Sequence, residues 1–367
     1  MIEQALPLNQ KIGQLFFIGI PGPQVDEQTR ELLDEISPGG VCLFSRNIRA
    51  AAQTRQLLDD ISNLLTVTPF LSIDQEGGLV DRLRRIMTPM PAASKLRSPD
   101  DASRIATIIA ESLRILGFNM DFAPVVDVVD AERAKHSNGL FSRAFGISKE
   151  DALTLGGSFL TALQQNGIIG CLKHFPGLGA SNVDSHEELP LVNISEDELL
   201  ATDLLPYREL LKTGDTKAVM VAHAAFPQAN LQETGQNGKL LPSSLSKNFI
   251  TNLLRGELGF DGLVITDDLE MGAIVKNYGI AEACKMAISA GVDMLAICAE
   301  PASIHEGYKS VLAAVGSGEI GEDRIDVSLA RIAKLKNEIS EPLAFGPERL
   351  QALSDQIAAL NESLARA

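Results

Sequence analysis

Short apolar runs alternate with stretches of helical periodicity along most of the chain. Eight runs rich in apolar and β-branched residues predict strands at 15–20, 40–44, 70–73, 118–123, 168–172, 218–222, 263–266 and 294–299. Between them, apolar residues spaced by three and four predict amphipathic helices at 53–65, 101–116, 150–165 and 280–290. This alternation predicts an α/β fold with a parallel sheet.

Polar side chains follow most of the predicted strands. In chain order they are Arg46 and Asn47, Asp74 and Glu76, Asp127, Lys173 and His174, His223, and Asp267 and Asp268. Active sites of (β/α)₈ barrels are built at the C-terminal ends of the strands, whereas a doubly wound open sheet draws its ligand site from a switch point. We therefore predict a single-domain (β/α)₈ TIM barrel over residues 1–367, with helices from about residue 322 packed on its outside.

The composition narrows the classes of function. A net charge of −16 over 367 residues argues against a nucleic-acid or anionic-membrane partner. Aromatic residues make up 5% and Trp is absent, which favours a compact pocket over a long polymer groove. The four Cys have no C-x-x-C spacing, and neither a leader-like N-terminus nor an apolar stretch long enough for a membrane helix is seen. We expect a cytoplasmic protein with buried thiols.

The densest chemistry lies in the run K-H-F-P-G-L-G-A-S-N-V-D-S-H. It contains Lys173, His174, Asp184 and His186, so two of the five His of the chain fall in one short segment. Pro and Gly residues predict a loop after the fifth strand. A carboxylate two residues from an imidazole can fix its tautomer and stabilise the imidazolium, as a general acid or base requires. Although a single loop His is more often a satisfied hydrogen-bonding group, the clustering predicts a reaction centre.

A second candidate is the pair Asp267 and Asp268, directly after the seventh strand. Because successive strand residues point to opposite faces, we expect one carboxylate in the barrel mouth and the other outward. An ionised inward carboxylate could be a nucleophile, and the alternative is that either Asp caps the next helix. Further back, Asp74 and Arg82 could fix a sugar or a carboxylate, although such a pair is weak evidence alone.

Other chemistries stay open at this point. Asp184, His186, His223 and Asp267 could converge as ligands of a metal-dependent hydrolase, although Lys173 beside them would oppose a cation. A Schiff-base Lys173 is a further alternative. Nucleotide binding is disfavoured, because neither a P-loop nor a G-x-G-x-x-G fingerprint is present.

A series of short motifs runs in order along most of the chain: K-I-G-Q-L-F, G-G-V-C-L-F-S-R-N, I-D-Q-E-G-G, F-A-P-V-V-D-V, S-R-A-F-G, K-H-F-P-G, D-S-H, M-V-A-H, P-S-S-L-S and T-D-D-L-E-M. In this order the motifs resemble glycoside hydrolase family 3, in particular its single-domain bacterial β-N-acetylhexosaminidases. The resemblance implies a retaining hydrolysis with Asp267 as nucleophile, His186 as acid/base and Asp184 as its partner. By the same matching, the residues that would bind the terminal sugar or line its pocket are Asp74, Arg82, Arg143, Lys173, His174 and His223.

The resemblance also implies an activity. We expect an exo-acting β-N-acetylglucosaminidase for small muropeptide-derived sugars, acting as a monomer with no cofactor and no metal. A β-glucosidase or β-xylosidase of the same family and a catalytically silent sugar-binding barrel are the alternatives. Two residues depart from the family pattern: Leu178 stands in place of a second His, and Leu79 in place of an Arg. We expect these two positions to affect the docking of the catalytic loop or the subsite for the aglycone, and with them substrate preference and turnover.

Overall fold

Eight parallel strands close into a barrel in the computed structural model, which describes residues 6–135, 139–181, 188–235 and 238–366. The order around the barrel is β1-β10-β9-β8-β7-β6-β3-β2, and β4 and β5 form a separate antiparallel hairpin. The strands are β1 (Phe16–Gly19), β2 (Gly40–Leu43), β3 (Phe70–Ile73), β4 (Gln75–Gly77), β5 (Val80–Asp81), β6 (Met120–Asp121), β7 (Ile169–Phe175), β8 (Ala218–Val221), β9 (Leu263–Asp268) and β10 (Met294–Ile297).

Helices follow the strands and surround the barrel. The α-helices are α1 (Leu8–Gly13), α2 (Glu27–Ile36), α3 (Ala51–Leu64), α4 (Pro99–Leu116), α5 (Leu140–Arg143), α6 (Lys149–Gln165), α7 (Glu196–Glu198), α8 (Leu205–Lys212), α9 (Gly272–Val275), α10 (Ile280–Ala290), α11 (Pro301–Gly316), α12 (Glu322–Lys336) and α13 (Pro347–Arg366). Two π-helices cover Leu199–Asp203 and Asn248–Glu257, and short 3₁₀ turns cover Ala93–Lys95, Arg133–Lys135 and Ser243–Leu245. None of the described helices is long and apolar enough to cross a membrane.

The predicted (β/α)₈ barrel is confirmed, and each of the eight predicted strands overlaps a barrel strand. The fifth strand is longer than predicted, because β7 continues through Lys173 and His174 to Phe175. The Lys173 amide donates to Pro124 O at 3.2 Å, so the backbone stays paired beneath the charged side chains. These two residues therefore lie within the barrel wall and not in the loop that follows it.

Local sequence signals place α4 as predicted. Ser98 Oγ accepts from the Asp101 amide at 3.1 Å, and the Asp101 carboxylate accepts in return from the Ser98 amide at 3.1 Å. A cap of this kind stabilises a helix by about 1 kcal/mol. At the other end Gly117 adopts φ 100°, a left-handed conformation that suits glycine. Asp101 is thus part of the helix cap.

The barrel interior is filled by aromatic side chains. The Phe17 ring lies 5.8 Å from Phe70 and 5.3 Å from Phe122, measured between centroids. A Cβ on Gly40 would come within 2.2 Å of the Phe17 ring, so this glycine makes room for the packing. Because the interior is packed, a ligand has space only at the barrel's ends.

A buried charge cluster closes the N-terminal face. Asp293, fully buried just before β10, accepts from Arg255 at 2.5 Å and from the Val264 amide at 3.0 Å. Ser328 of α12 and Arg331 donate to its other oxygen at 2.9 and 3.3 Å. These bonds fasten α12 to the barrel, in agreement with the prediction that the C-terminal helices pack outside.

Candidate active site

A cavity of about 210 Å³ opens at the C-terminal ends of the barrel strands. It is smaller than the ~300–1,000 Å³ typical of drug-sized ligand pockets, so it suits one small ligand. Apolar side chains such as Phe44, Phe122 and Met220 share its wall with a dense set of charged groups. The described charged residues that line it are Asp74, Glu76, Arg82, Arg143, Lys173, His174, Asp267 and Asp268.

A four-residue ionic cluster forms one wall of the cavity. Lys173 donates to Asp74 at 2.8 Å and lies 2.6 Å from a Glu76 oxygen. Arg143 of α5 donates to both Glu76 oxygens, at 2.8 and 2.9 Å. The Lys173 and Glu76 side chains are only 2% and 4% exposed. Buried charges of this kind are stable only as a hydrogen-bonded set, so each member fixes the position of the others.

The cluster keeps its members ionised. Burial acts to raise the pKa of Glu76, but the neighbouring Lys173 and Arg143 cations outweigh it and hold that pKa well below its usual value. Burial likewise acts to lower the pKa of Lys173, and the Asp74 and Glu76 carboxylates reverse this and raise it. A Schiff-base lysine needs a lowered pKa. The structure therefore disfavours the Schiff-base alternative for Lys173.

Arg82 borders the cavity beside Asp74. Its guanidinium lies 3.8 Å from the Asp74 carboxylate and 5.7 Å from the centre of the Phe44 ring. Its Nε is buried and has no hydrogen-bond partner among the described residues. The Arg82 side chain as a whole is 27% exposed and lines the cavity, so its guanidinium can reach a ligand there.

His174 is oriented by a buried carboxylate. Its Nδ1 lies 2.7 Å from Asp127 Oδ2, and Asp127 Oδ1 accepts from the Leu178 amide at 2.7 Å. The peptide bond joining Lys173 and His174 is cis, and both side chains border the cavity. Asp127 therefore fixes the imidazole and also fastens the start of the loop that follows β7.

Asp267 is an ionised carboxylate in the cavity. Burial acts to raise its pKa, but His174 and His223 outweigh it, so that the pKa lies below its usual value. One Asp267 oxygen accepts from the Asp268 amide at 2.8 Å. An ionised, partly desolvated carboxylate at the end of a barrel strand can act as a nucleophile.

Asp268 also borders the cavity, which differs from the expected alternation of inward and outward side chains. β9 and β10 pair Ile265 with Met294 and then Asp268 with Ala296, so the register shifts at this point. Such a bulge redirects side chains at the end of a strand. Asp268 Oδ1 accepts from the Glu270 amide at 3.0 Å, and burial raises its pKa to about 7. Asp268 therefore holds the turn after β9 and caps no helix, because α9 begins after Met271 without a side-chain cap, while Asp267 keeps its carboxylate in the cavity.

His223 lies behind the cavity. It is fully buried, with Nδ1 2.7 Å from Ser244 Oγ and Nε2 3.1 Å from the Asp268 carbonyl oxygen, and it is not among the described residues that line the cavity. Burial lowers its pKa. His223 thus supports the strand end that bears the two carboxylates, whereas the sequence placed it on the cavity wall.

The family-model comparison assigns the chain. Residues 7–335 match the model described as "Glycosyl hydrolase family 3 N terminal domain". The chain belongs to glycosyl hydrolase family 3. As a member of this family it is a glycoside hydrolase, and the resemblance inferred from the motifs is confirmed.

Individual family 3 proteins agree with this assignment. A protein named "Beta-hexosaminidase" from Tolumonas auensis is 33% identical over 286 residues, which are 77% of this chain and 81% of that one. A β-N-acetylglucosaminidase structure from Paenibacillus sp. str. FPU-7 is 35% identical with a TM-score of 0.86, and the match covers 97% of this chain and 69% of that one. A family 3 glycosyl hydrolase structure from Mycobacterium smegmatis is 32% identical with a TM-score of 0.80, covering 91% and 98%.

Two sequence-predicted residues of this family 3 site, Asp184 and His186, lie outside the described residues, and their assignment stays a prediction. The same holds for the metal alternative that included them. Among the residues that the structure describes, no group of three or more His, Cys, Asp or Glu side chains could hold a metal ion.

Two residues of the site were not singled out from the sequence. Glu76 joins Lys173 to Arg143, and Asp127 orients His174. Both follow predicted strands, and that position was the available signal. The sequence could not show which cation or imidazole each carboxylate contacts at the nearby end of β7.

The two departures from the family pattern lie in different surroundings. Leu178 is buried and lines the cavity, next to the Asp127 contact. Leu79 is 65% exposed at the tip of the β4–β5 hairpin. A change at Leu178 is therefore expected to act on the cavity itself, and one at Leu79 on groups outside it.

Proposed function

We propose that this family 3 glycoside hydrolase removes terminal β-linked N-acetylglucosamine from small muropeptide-derived sugars. The observation that carries the proposal is the ionised Asp267 in a one-sugar cavity, facing the cluster of Asp74 and Lys173. The names of the Tolumonas auensis and Paenibacillus relatives support the amino-sugar preference. The cavity of about 210 Å³ supports exo-action, because it is small for a chain of several sugars.

The proposed reaction is a double displacement. An Asp267 oxygen attacks the anomeric carbon, the bond from that carbon to the aglycone oxygen breaks, and this oxygen takes a proton from His186. Water then attacks the same carbon and gives a proton to His186, and the bond to Asp267 breaks to release the sugar. Asp184 would hold the imidazole in the required tautomer.

The remaining groups are proposed to hold the terminal sugar. Asp74 has one oxygen bonded to Lys173 and its side chain is 17% exposed, so it can also accept from sugar hydroxyls. The part-exposed guanidinium of Arg82 can donate to a sugar oxygen. Lys173, Arg143 and His174 complete this side of the cavity, and their mutual bonds hold it in shape before the substrate arrives.

The nucleophile assignment is tested with Asp267→Asn, using Asp268→Asn as the matched neighbour. On a 4-nitrophenyl β-N-acetylglucosaminide, we expect Asp267→Asn to lower kcat at least about a thousandfold, because the covalent step is lost. Asp268→Asn should stay within about tenfold of the wild type, since its carboxyl serves the backbone turn. Near-normal hydrolysis by Asp267→Asn would contradict the assignment.

The acid/base assignment has a separate test. Replacing His186 by Ala should slow substrates with poor leaving groups far more than activated aryl substrates, because only the former need a proton in the transition state. Equal losses across the series would remove His186 from this role.

The substrate class is tested by matched aryl glycosides with and without the 2-acetamido group. Preference for glucoside or xyloside would replace the amino-sugar proposal, and calorimetric sugar binding without turnover would indicate a silent binding protein. Activity that survives exhaustive chelation would exclude a metal-dependent hydrolase.

We also propose a cytoplasmic location, supported by the four Cys, which are all buried and free.

A further inference from the structure

The last helix connects the two faces of the barrel. α13 has 20 residues and so is about 30 Å long. Near its start Arg349 donates to Glu111, in the C-terminal part of α4, at 2.5 and 2.7 Å. Near its end the Leu364 carbonyl accepts from Arg97, just before α4, at 3.3 Å. Because α4 begins at the catalytic face, α13 runs antiparallel to it and delivers its C-terminal turns to that face.

The buried face of α13 contains one polar residue among its apolar side chains. Leu350, Leu353, Ile357 and Leu360 are 4% exposed or less, and they pack the helix against the barrel. Ser354 lies in the same stripe and is 5% exposed. Its Oγ accepts from the Thr88 amide at 3.3 Å. About two turns onward, Asn361 Nδ2 donates to the Pro89 carbonyl at 3.0 Å.

The partners of these two bonds, Thr88 and Pro89, belong to a segment that forms part of the cavity wall. We call residues 75–91 the wall segment. The Met90 amide donates to Asp81 at 2.9 Å, and the Met90 carbonyl accepts from Gly78 at 3.0 Å. Asp81 in turn accepts from Gln75 Nε2 at 2.8 Å, and Gln75 Oε1 accepts from the Arg82 amide at 2.9 Å. A continuous set of bonds therefore leads from Thr88 and Pro89 to the backbone beside the cavity.

The residues that this network holds are the cavity residues themselves. Asp74 immediately precedes the wall segment, and Glu76, Val80 and Arg82 belong to it; all four line the cavity. The segment has little regular structure of its own, only the short hairpin of β4 and β5. Segments of this kind open easily unless they are held from outside.

We propose that α13 is a positioning element for the wall segment, and that Ser354 and Asn361 are its positioning residues. The family match ends at residue 335, so α13 lies beyond the part that the family model describes. The kinetic part of this inference rests on the proposed function, whereas the structural part does not.

The test compares Ser354→Ala/Asn361→Ala with Gln351→Ala. Gln351 bonds to Asp355 at 2.9 Å on the exposed side of the same helix, so the control removes a hydrogen bond without touching the wall segment. We expect the double variant to raise KM for the aryl N-acetylglucosaminide about three- to tenfold, with kcat within twofold of the wild type. Amide hydrogen exchange at Thr88 and Met90 should become at least tenfold faster, and the control should change neither quantity.

Two further variants keep the result decisive. Ser354→Thr retains the accepting hydroxyl and should restore slow exchange at Thr88, and Asn361→Ala alone serves if the double variant fails to fold. Unchanged exchange in the wall segment would overturn the proposal, as would equal changes in the control. A chain that hydrolyses no amino-sugar substrate would refute the proposed function, while the exchange measurement would still decide the role of α13.

Discussion

Replacing Glu76 by Gln tests whether burial increases the contribution of the ionic cluster to the free energy of unfolding. Glu76 accepts from Arg143 at 2.8 and 2.9 Å and lies 2.6 Å from Lys173, and its side chain is 4% exposed. The substitution keeps the shape of the side chain but leaves two buried cations facing a neutral amide. Breaking a buried pair in this way costs about 3–5 kcal/mol of unfolding free energy.

The chain offers a matched surface pair. Lys135 and Glu132 are also 2.6 Å apart, but their side chains are 59% and 82% exposed. For Glu132→Gln we expect the free energy of unfolding to fall by less than about 0.5 kcal/mol, because water solvates both charges. The two ion pairs share a distance and a chemistry, so burial is the main difference between them.

Urea unfolding at pH 7, followed by circular dichroism, measures the loss of unfolding free energy in both variants. Since the pKa of Glu76 is lowered in the folded protein, its stabilisation is full above the unfolded value of about 4.3 and is lost as the pH falls toward the folded pKa. The difference between wild type and Glu76→Gln should therefore persist from pH 7 to pH 5 and shrink in stronger acid. Equal losses for Glu76→Gln and Glu132→Gln would refute the reasoning.

Three further predictions concern other buried carboxylates. The pKa of Asp268 is raised to about 7 in the folded protein, so ionisation of this carboxyl opposes folding. Asp268→Asn should therefore become more stable relative to the wild type as the pH rises from about 4 to 7, by up to about 1.4 kcal/mol per pH unit. Thermal unfolding of both proteins across this pH range measures the slope. Asp127→Asn should lower kcat/KM about 10- to 100-fold by releasing the His174 ring from its 2.7 Å contact, and an unchanged value would contradict that orienting role. Asp293→Asn should destabilise the fold by about 3–5 kcal/mol with KM unchanged, because its bond to Arg255 lies at the face opposite the cavity; a shift in KM would count against this separation.

The fold was predictable because it depends on local signals. Eight apolar runs and the helical spacing between them are visible along the chain, and a parallel barrel follows from their order. The positions of the strand ends were predicted less accurately. β7 extends through Lys173 and His174 because their backbone groups pair with neighbouring segments. Their side chains contact Asp74 and Asp127, which follow the nearby strands β3 and β6 but are distant in sequence.

The site was predictable as a set of residue types but not as a set of pairs. Motif matching singled out Asp74, Lys173 and Asp267, which the structure brings to one cavity. It could not show that Glu76 lies between two cations, since that contact requires the closed barrel. His223 illustrates the same limit, because burial behind the strand end depends on how β8 and β9 pack.

The contacts of α13 also set an order of events during synthesis. Thr88 and Ser354 are 266 positions apart, so the ribosome makes the wall segment long before it makes the serine that holds it. At ~5–20 residues per second, this interval lasts roughly 13–50 s. Throughout it, the Thr88 amide lacks its partner on the nascent chain. The hold of α13 on the wall segment is therefore among the last contacts of the molecule to form, after β10, the last strand of the barrel, has been made.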